Sequence, residues 1–250
     1  MGIRKKPILV LFIMICFASV KAQYTDSIAA ENIYTSSGKL ITRELSPQKI
    51  FFSHASFVIP AFMIAYGFSA LKIDPLQDLN EEFREELWIE HSHNKVNIDN
   101  YLQFVPAAAV YGLNIAGVNG KNNLKDRSVI YFISNVFLNT IVSSLKSASK
   151  EQRPDGSSYK SFPSGHTTEA FASAEFLRQE YKDISAWYGI AGYATATATG
   201  LLRMYNNKHW LSDIVAGAGF GIISTKLAYW IYPAIKRVFL KNISTIPVLY

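Results

Sequence analysis

Phe51 to Leu71 runs for twenty-one residues without one formal charge. That length lies within the roughly 17–25 apolar residues a helix needs to cross a bilayer. Further apolar stretches follow at Tyr101–Val118, Val129–Leu145, Thr167–Tyr181, Ile184–Leu202 and Trp210–Tyr232. The first two of these carry Gln103, Asn114, Asn135 and Asn139, which makes them weaker spanning candidates than Phe51–Leu71. In Thr167–Tyr181 the residues Phe171, Ala174, Leu177 and Tyr181 recur at helical spacing and predict one apolar face. Ile184–Leu202 is rich in Gly and Ala, and glycines return at 217, 219 and 221, a composition suited to close helix contact. Between Asp74 and Asn100 the chain turns acidic, yet Leu76, Leu79, Phe83, Leu87 and Trp88 keep a helical period, which predicts an amphipathic helix lying on a surface. No convincing strand alternation and no internal repeat is visible. The predicted fold is all-α: a membrane-associated bundle of about six core helices.

Charged residues make up 18% of the chain and apolar ones 49%, against an average charged share of about 25%. Disorder, coiled coil and an acidic tail are therefore excluded. The net charge of +6 invites a nucleic-acid reading, but Arg4, Lys5, Lys6 and Lys21 belong to a first segment without a single acid. Beyond it 21 basic residues face 19 acidic ones, so no basic footprint for nucleic acid survives. Arg4-Lys5-Lys6, the apolar run Ile8–Val20 and the small Ala22 are the parts of an export signal. The expected organisation is a signal peptide over residues 1–22, a polar segment over 23–50 and one domain over 51–250. The lone Cys16 falls in the leader, so the remainder offers no disulfide or thiolate chemistry.

Polar chemistry concentrates in three clusters at the ends of apolar segments: Lys146 with Arg153-Pro154, Pro163-Ser164-Gly165-His166, and Arg203 with His209 and Asp213. Each has an ordinary explanation: cations at a helix end, a turn with an N-cap, a solvated i,i+4 pair. Together they fit a phosphate ester. Arginine forks and a lysine point charge neutralise the non-bridging oxygens. Ser164 and Gly165 lie where a loop enters a helix, so free backbone N–H groups and the positive helix end would face the same anion. His209 and Asp213, four apart, project from one face if they share a helix. The carboxylate then holds one ring nitrogen and leaves the other to attack phosphorus. His166 serves as proton donor to the departing oxygen and later as base toward water.

Lys146-x6-Arg153-Pro154, Pro163-Ser164-Gly165-His166 and Arg203-x5-His209-x3-Asp213 together resemble the three-part signature of the type 2 phosphatidic acid phosphatase (PAP2) superfamily. That superfamily includes bacterial acid phosphatases and vanadium-dependent haloperoxidases. The resemblance covers Phe51 to Tyr232. It implies a helical bundle, a phosphohistidine on His209 oriented by Asp213, and His166 as general acid. It also implies phosphate binding by Lys146, Arg153 and Arg203, with Ser164 and Gly165 in the cradle, and neither metal nor cofactor. One departure is Leu202, where the family often has Ser; this removes a hydroxyl but none of the charged chemistry. Lys150, one turn beyond Lys146, is an auxiliary candidate.

The apolar segments favour a substrate in a membrane: lipid A, phosphatidylglycerophosphate, phosphatidate or undecaprenyl diphosphate. Two alternatives stand beside it, a secreted soluble acid phosphatase, suited to the mean hydropathy of +0.10, and a non-catalytic protein that binds anionic lipid. Glu169, Glu175 and Glu180 raise a difficulty, because a carboxylate at a bilayer centre costs about 2.5–3.5 kcal/mol on insertion scales. A simple count of six spans with the signal removed puts the site in the cytoplasm. Lys121, Lys125, Arg127, Arg178, Lys182, Lys236, Arg237 and Lys241 fall on the side opposite the site and favour an outward-facing one, with the N-terminus retained or one segment not crossing. The expected location is membrane-associated and exported, with the site facing the periplasm. His54, His91 and His93 have no spacing for a metal, and nothing indicates an oligomeric state.

Overall fold

Helix ends in this chain are set by recognisable local chemistry. The computed structural model describes residues 55–90 and 94–244; the expected leader, Cys16, the polar segment 23–50, His54, His91 and His93 lie outside them. Among the described residues there are eight α-helices and no strand. They are α1 (Ala55–Ala70), α2 (Asp74–Arg84, prolonged by a π turn over Glu85–Ile89), α3 (Asp99–Leu102) and α4 (Val105–Ile115). Then come α5 (Leu124–Ser149), α6 (Gly165–Tyr181), α7 (Ala186–Tyr205) and α8 (Leu211–Ser244). Asn123, Ser164 and Ser185 cap α5, α6 and α7, each side chain accepting a first-turn N–H. Lys150 ends α5 in the left-handed region at φ 50°, which turns the chain into the following loop.

α6 is the axis of the bundle and packs against α4, α5, α7 and α8. Every residue from Thr167 to Tyr181 is buried, so the expected single apolar face is a helix enclosed all round. The glutamates that raised a difficulty for a membrane-crossing α6 are satisfied inside the bundle. Tyr131 donates to Glu169 at 2.6 Å, Arg178 and Tyr193 donate to Glu175 at 2.8 and 2.5 Å, and Tyr229 donates to Glu180 at 2.6 Å. Hydropathy periodicity cannot register this, because buried polar groups are tolerated wherever a partner is supplied from another helix.

Glycine lets α8 sit between two neighbours. A Cβ on Gly221 would fall 2.2 Å from the Thr168 carbonyl oxygen, and one on Gly219 would fall 2.6 Å from that of Pro60. α8 therefore meets α6 and α1 backbone to backbone, as its small residues suggested. Around this contact one apolar cluster gathers Met63, Phe171, Tyr193, Ile214 and Ile222, and a second gathers Val110, Ile130, Phe176, Leu177 and Tyr229.

Among the described residues two helices are long and apolar enough to cross a membrane, Leu124–Ser149 and the Leu211–Val238 part of α8. The described part of the Phe51–Leu71 run, expected to be the clearest span, forms the 16-residue helix Ala55–Ala70 with Pro60 inside it. With α2 it makes a pair bent by 95°, a broken span or re-entrant hairpin. The stretch around Asn135 and Asn139, expected to be weaker, becomes the 26-residue α5. Its amides are satisfied locally: Asn135 donates to the Tyr131 carbonyl at 3.1 Å and Asn139 to that of Asn135 at 2.8 Å. Val129, Phe132 and Val136 face outward from α5. The amphipathic 74–88 stretch docks on the bundle: Phe83 is buried, Leu79 and Leu87 pack on the first cluster, and Asn80 exchanges hydrogen bonds with Ser212.

Candidate active site

Three polar segments meet at the N-terminal end of α6: the loop 150–164, the turn 206–210, and α3. In the loop, Gly156 N–H donates to the Arg153 carbonyl at 2.9 Å, and Gly156 takes φ 70°, where only glycine is unstrained. Arg153 N–H reaches Ser158 O and Ser161 N–H reaches Glu151 O, folding the loop on itself. Lys208 then bonds Asp155 at 2.5 Å, and the Trp210 indole donates to Gln152 O at 2.8 Å. These contacts fasten the loop to the turn that carries His209.

His209 precedes α8 rather than riding on it, so the expected pairing of His209 and Asp213 along one helical face is corrected. Asp213 occupies the third position of α8 and accepts the Trp210 N–H at 3.0 Å, in the manner of a capping-box carboxylate. The same oxygen, Oδ2, lies 3.1 Å from His209 Nδ1 and accepts the Ser161 hydroxyl at 2.5 Å. Nδ1 is thus engaged and Nε2 is the remaining ring nitrogen. Burial first, then Lys146, Arg203 and Arg153, hold the His209 imidazole well below its ordinary value and keep it neutral.

The cations surround this pair. Lys146, in the last turn of α5, donates to the Lys160 and Ser161 carbonyls at 2.8 and 3.2 Å. A Cβ built on Gly165 would stand 4.0 Å from its Cε. Arg203, in the last turn of α7, pairs with Asp99 at 2.6 Å. The Nε atoms of both Arg153 and Arg203 are buried with no hydrogen-bond partner. Such a donor costs about 1–3 kcal/mol unless something completes it. His166, at the second position of α6, places Nε2 2.9 Å from Asn100 Oδ1. Burial, then Arg203, push its imidazole down to about 4, with Asp99 opposing and Arg153 and Lys146 adding to the effect. The structure therefore brings together Lys146, Arg153, Ser164, Gly165, His166, Arg203, His209 and Asp213.

Residues 128–237, which hold all three clusters, match the PAP2 superfamily model. Over 161 residues, 64% of the chain, the sequence is 34% identical to the lipid A 1-phosphatase of Porphyromonas gingivalis, and that match spans 36% of the relative's length. Among solved structures, LpxE of Aquifex aeolicus superposes with a TM-score of 0.47 at 20% identity, covering 61% of this chain and 95% of that one. The transmembrane PAP2-type phosphatidylglycerolphosphate phosphatase of Bacillus subtilis superposes with a TM-score of 0.48 at 17% identity, covering 71% and 98%.

Two details of the site depart from expectation. Ser164 N–H, anticipated as open to an anion, donates to the Asp213 carbonyl at 3.1 Å, and its hydroxyl caps α6. The first-turn N–H groups without an intrahelical acceptor are those of Gly165 and His166. Lys150 is exposed and serves the chain as a left-handed helix end. Among the described residues no group of three or more His, Cys, Asp or Glu side chains is placed to hold a metal ion. Sequence reasoning missed Ser161, Asp99 and Asn100. Ser161 sits two residues before the second cluster with no distinguishing spacing. Asp99 and Asn100 reach their partners across 104 and 66 residues, and lie before the matched stretch.

Proposed function

We propose that the protein is a metal-independent phosphatase that hydrolyses a phosphate monoester or diphosphate carried by a membrane lipid, through a phosphohistidine on His209. The observation that carries this is the neutral His209 ring, held by the Asp213 carboxylate and buried beside three cations, two of which hold unpartnered Nε donors. In this reading Lys146, Arg153, Arg203 and the N–H groups of Gly165 and His166 bind the phosphoryl oxygens and take up the charge spread over them. The lone pair of His209 Nε2 attacks phosphorus as the bond to the leaving oxygen breaks, and Asp213 stabilises the charge arriving on the ring. His166 gives its proton to the leaving oxygen. It then takes one from water as that water attacks the phosphohistidine, and the P–N bond breaks to restore His209. His166 is neutral in the empty site; the negative charge of a bound phosphate offsets the cations that depress it and favours the acid form.

A lipid substrate is supported by the segment that borders the site. Around Asp99 and Asn100 the chain exposes Val96, Ile98, Tyr101, Phe104 and Val105, an apolar rim suited to acyl chains. The lipid A 1-phosphatase relative acts on a substrate of this class by its name. An outward-facing site is supported by Lys121, Lys125, Lys182 and Arg237 at the far end, with the residues 1–22 as the export signal. Arg127, Arg178 and Lys236 lie at the same end, paired with Glu180, Glu175 and Asp126.

The test is a phosphate-release panel with purified full-length protein, in chelator, on lipid A, phosphatidylglycerophosphate, undecaprenyl diphosphate and a soluble monoester. Turnover of at least one lipid, unchanged by chelator, is expected. Equal turnover of the soluble ester points to a secreted acid phosphatase. Binding of lipid without turnover leaves only an anionic-lipid receptor.

A further inference from the structure

Asn100 belongs to none of the three clusters and precedes the PAP2 match, yet it touches His166 directly. Its place is held from several sides. The neighbouring Asp99 is buried and paired with Arg203, Gln103 donates back to the Asn100 carbonyl at 2.8 Å, and α3 packs on α6 and α7. The side-chain Oδ1 only accepts hydrogen bonds, so His166 Nε2 carries a hydrogen and Nδ1 is the nitrogen that gains and loses the proton.

We infer that Asn100 is a positioning residue for the proton transfer assigned to His166, fixing its tautomer and ring plane so that Nδ1 faces the leaving oxygen. This rests on the phosphatase reading above. The groups facing His166 are Arg203 of α7, Arg153 of the loop, Lys146 of α5, Asp99 of α3, and His209 before α8. Cations outnumber the single carboxylate there. An amide acceptor supports the imidazolium without cancelling the charge that binds phosphate; a carboxylate in its place would add a countercharge within hydrogen-bond reach.

The experiment compares Asn100→Ala and Asn100→Asp with the full-length wild type. It measures kcat/KM against pH on an alkyl phosphate, whose leaving oxygen needs a proton, and on p-nitrophenyl phosphate, whose leaving group does not. Asn100 is exposed, so neither change opens a cavity. Asn100→Ala is expected to lose about 10²-fold on the alkyl ester and under about threefold on p-nitrophenyl phosphate. Asn100→Asp is expected to keep most activity and to move the descending high-pH limb up by about one to three pH units. Equal losses on both esters, or a limb that stays put in Asn100→Asp, overturns the assignment of Asn100. Wild-type protein that turns over no ester overturns the phosphatase reading itself, which separates the two failures.

Discussion

The two ends of α6 use the same kinds of side chain in opposite ways. Toward its C-terminus, Arg127 faces Glu180 at 3.6 Å, Arg178 and Lys226 share Glu175 at 2.8 and 3.7 Å, and Lys236 meets Asp126 at 2.5 Å. Arg127 also donates to the Asn122 carbonyl and retains one unpartnered Nη1. Toward its N-terminus, about 15 Å away at 1.5 Å per residue, Lys146 meets only carbonyls, and Arg153 has no carboxylate partner among the described residues. Taking charge out of water costs several kcal/mol per ion unless it is paired. The first cluster meets most of that cost internally, each of its cations facing a carboxylate. The second leaves positive charge and aimed donors over, which a phosphoryl group from outside would complete. Cations without a carboxylate partner, rather than the number of buried charges, separate the two ends.

Four experiments would break or sharpen this contrast. His209→Ala should abolish phosphate release, by about 10⁴-fold or more, while the protein still accumulates in membranes; near-normal turnover would remove the nucleophile from the mechanism. Glu175→Gln at the paired end should cost about 3–5 kcal/mol of stability, read as a lowered Tm, with kcat/KM per folded molecule unchanged. A fall in kcat/KM without loss of stability would erase the distinction between the two ends. Arg153→Ala should lower kcat/KM by about 10²–10³-fold and weaken vanadate inhibition in parallel, with Tm unchanged or raised. A large drop in Tm would make Arg153 a structural cation like Arg178.

The smallest effect is one of pH. His166 titrates near 4 in the folded protein against 6.5 for an ordinary histidine, and His209 is displaced in the same direction. Between those values the unfolded chain binds more protons, so this contribution to stability is complete above pH 6.5 and declines as pH falls toward 4. Vanadate should oppose the decline by offsetting the cations. Thermal unfolding from pH 7 to 4, with and without vanadate, reads both effects, and a flat, vanadate-insensitive Tm would contradict the burial of the two rings among cations.

The order of apolar segments and the convergence of the eight clustered residues were legible along the chain because cations, a histidine–carboxylate pair and a helix start stand out at the ends of apolar segments. The use of Ser164 was not, since the same hydroxyl suits a cap or an anion and only the position of Asp213 O decided where its N–H goes. The amphipathic period of Leu79, Phe83 and Leu87 likewise announced a helix without saying whether lipid or protein covers it; here the bundle does.

The linear pattern alone determined that the protein is helical and which cations, histidines and carboxylates it has to offer a site, because helix period and charge type are local properties. Tertiary structure decided which carboxylate neutralises which cation. It gave Glu175 to Arg178 and Lys226 and Asp99 to Arg203, brought Ser161 to Asp213, and set Asn100 against His166. Most of those pairings span dozens of residues, and a hydrogen bond depends on a separation of about 3 Å in space, which no spacing along a chain encodes.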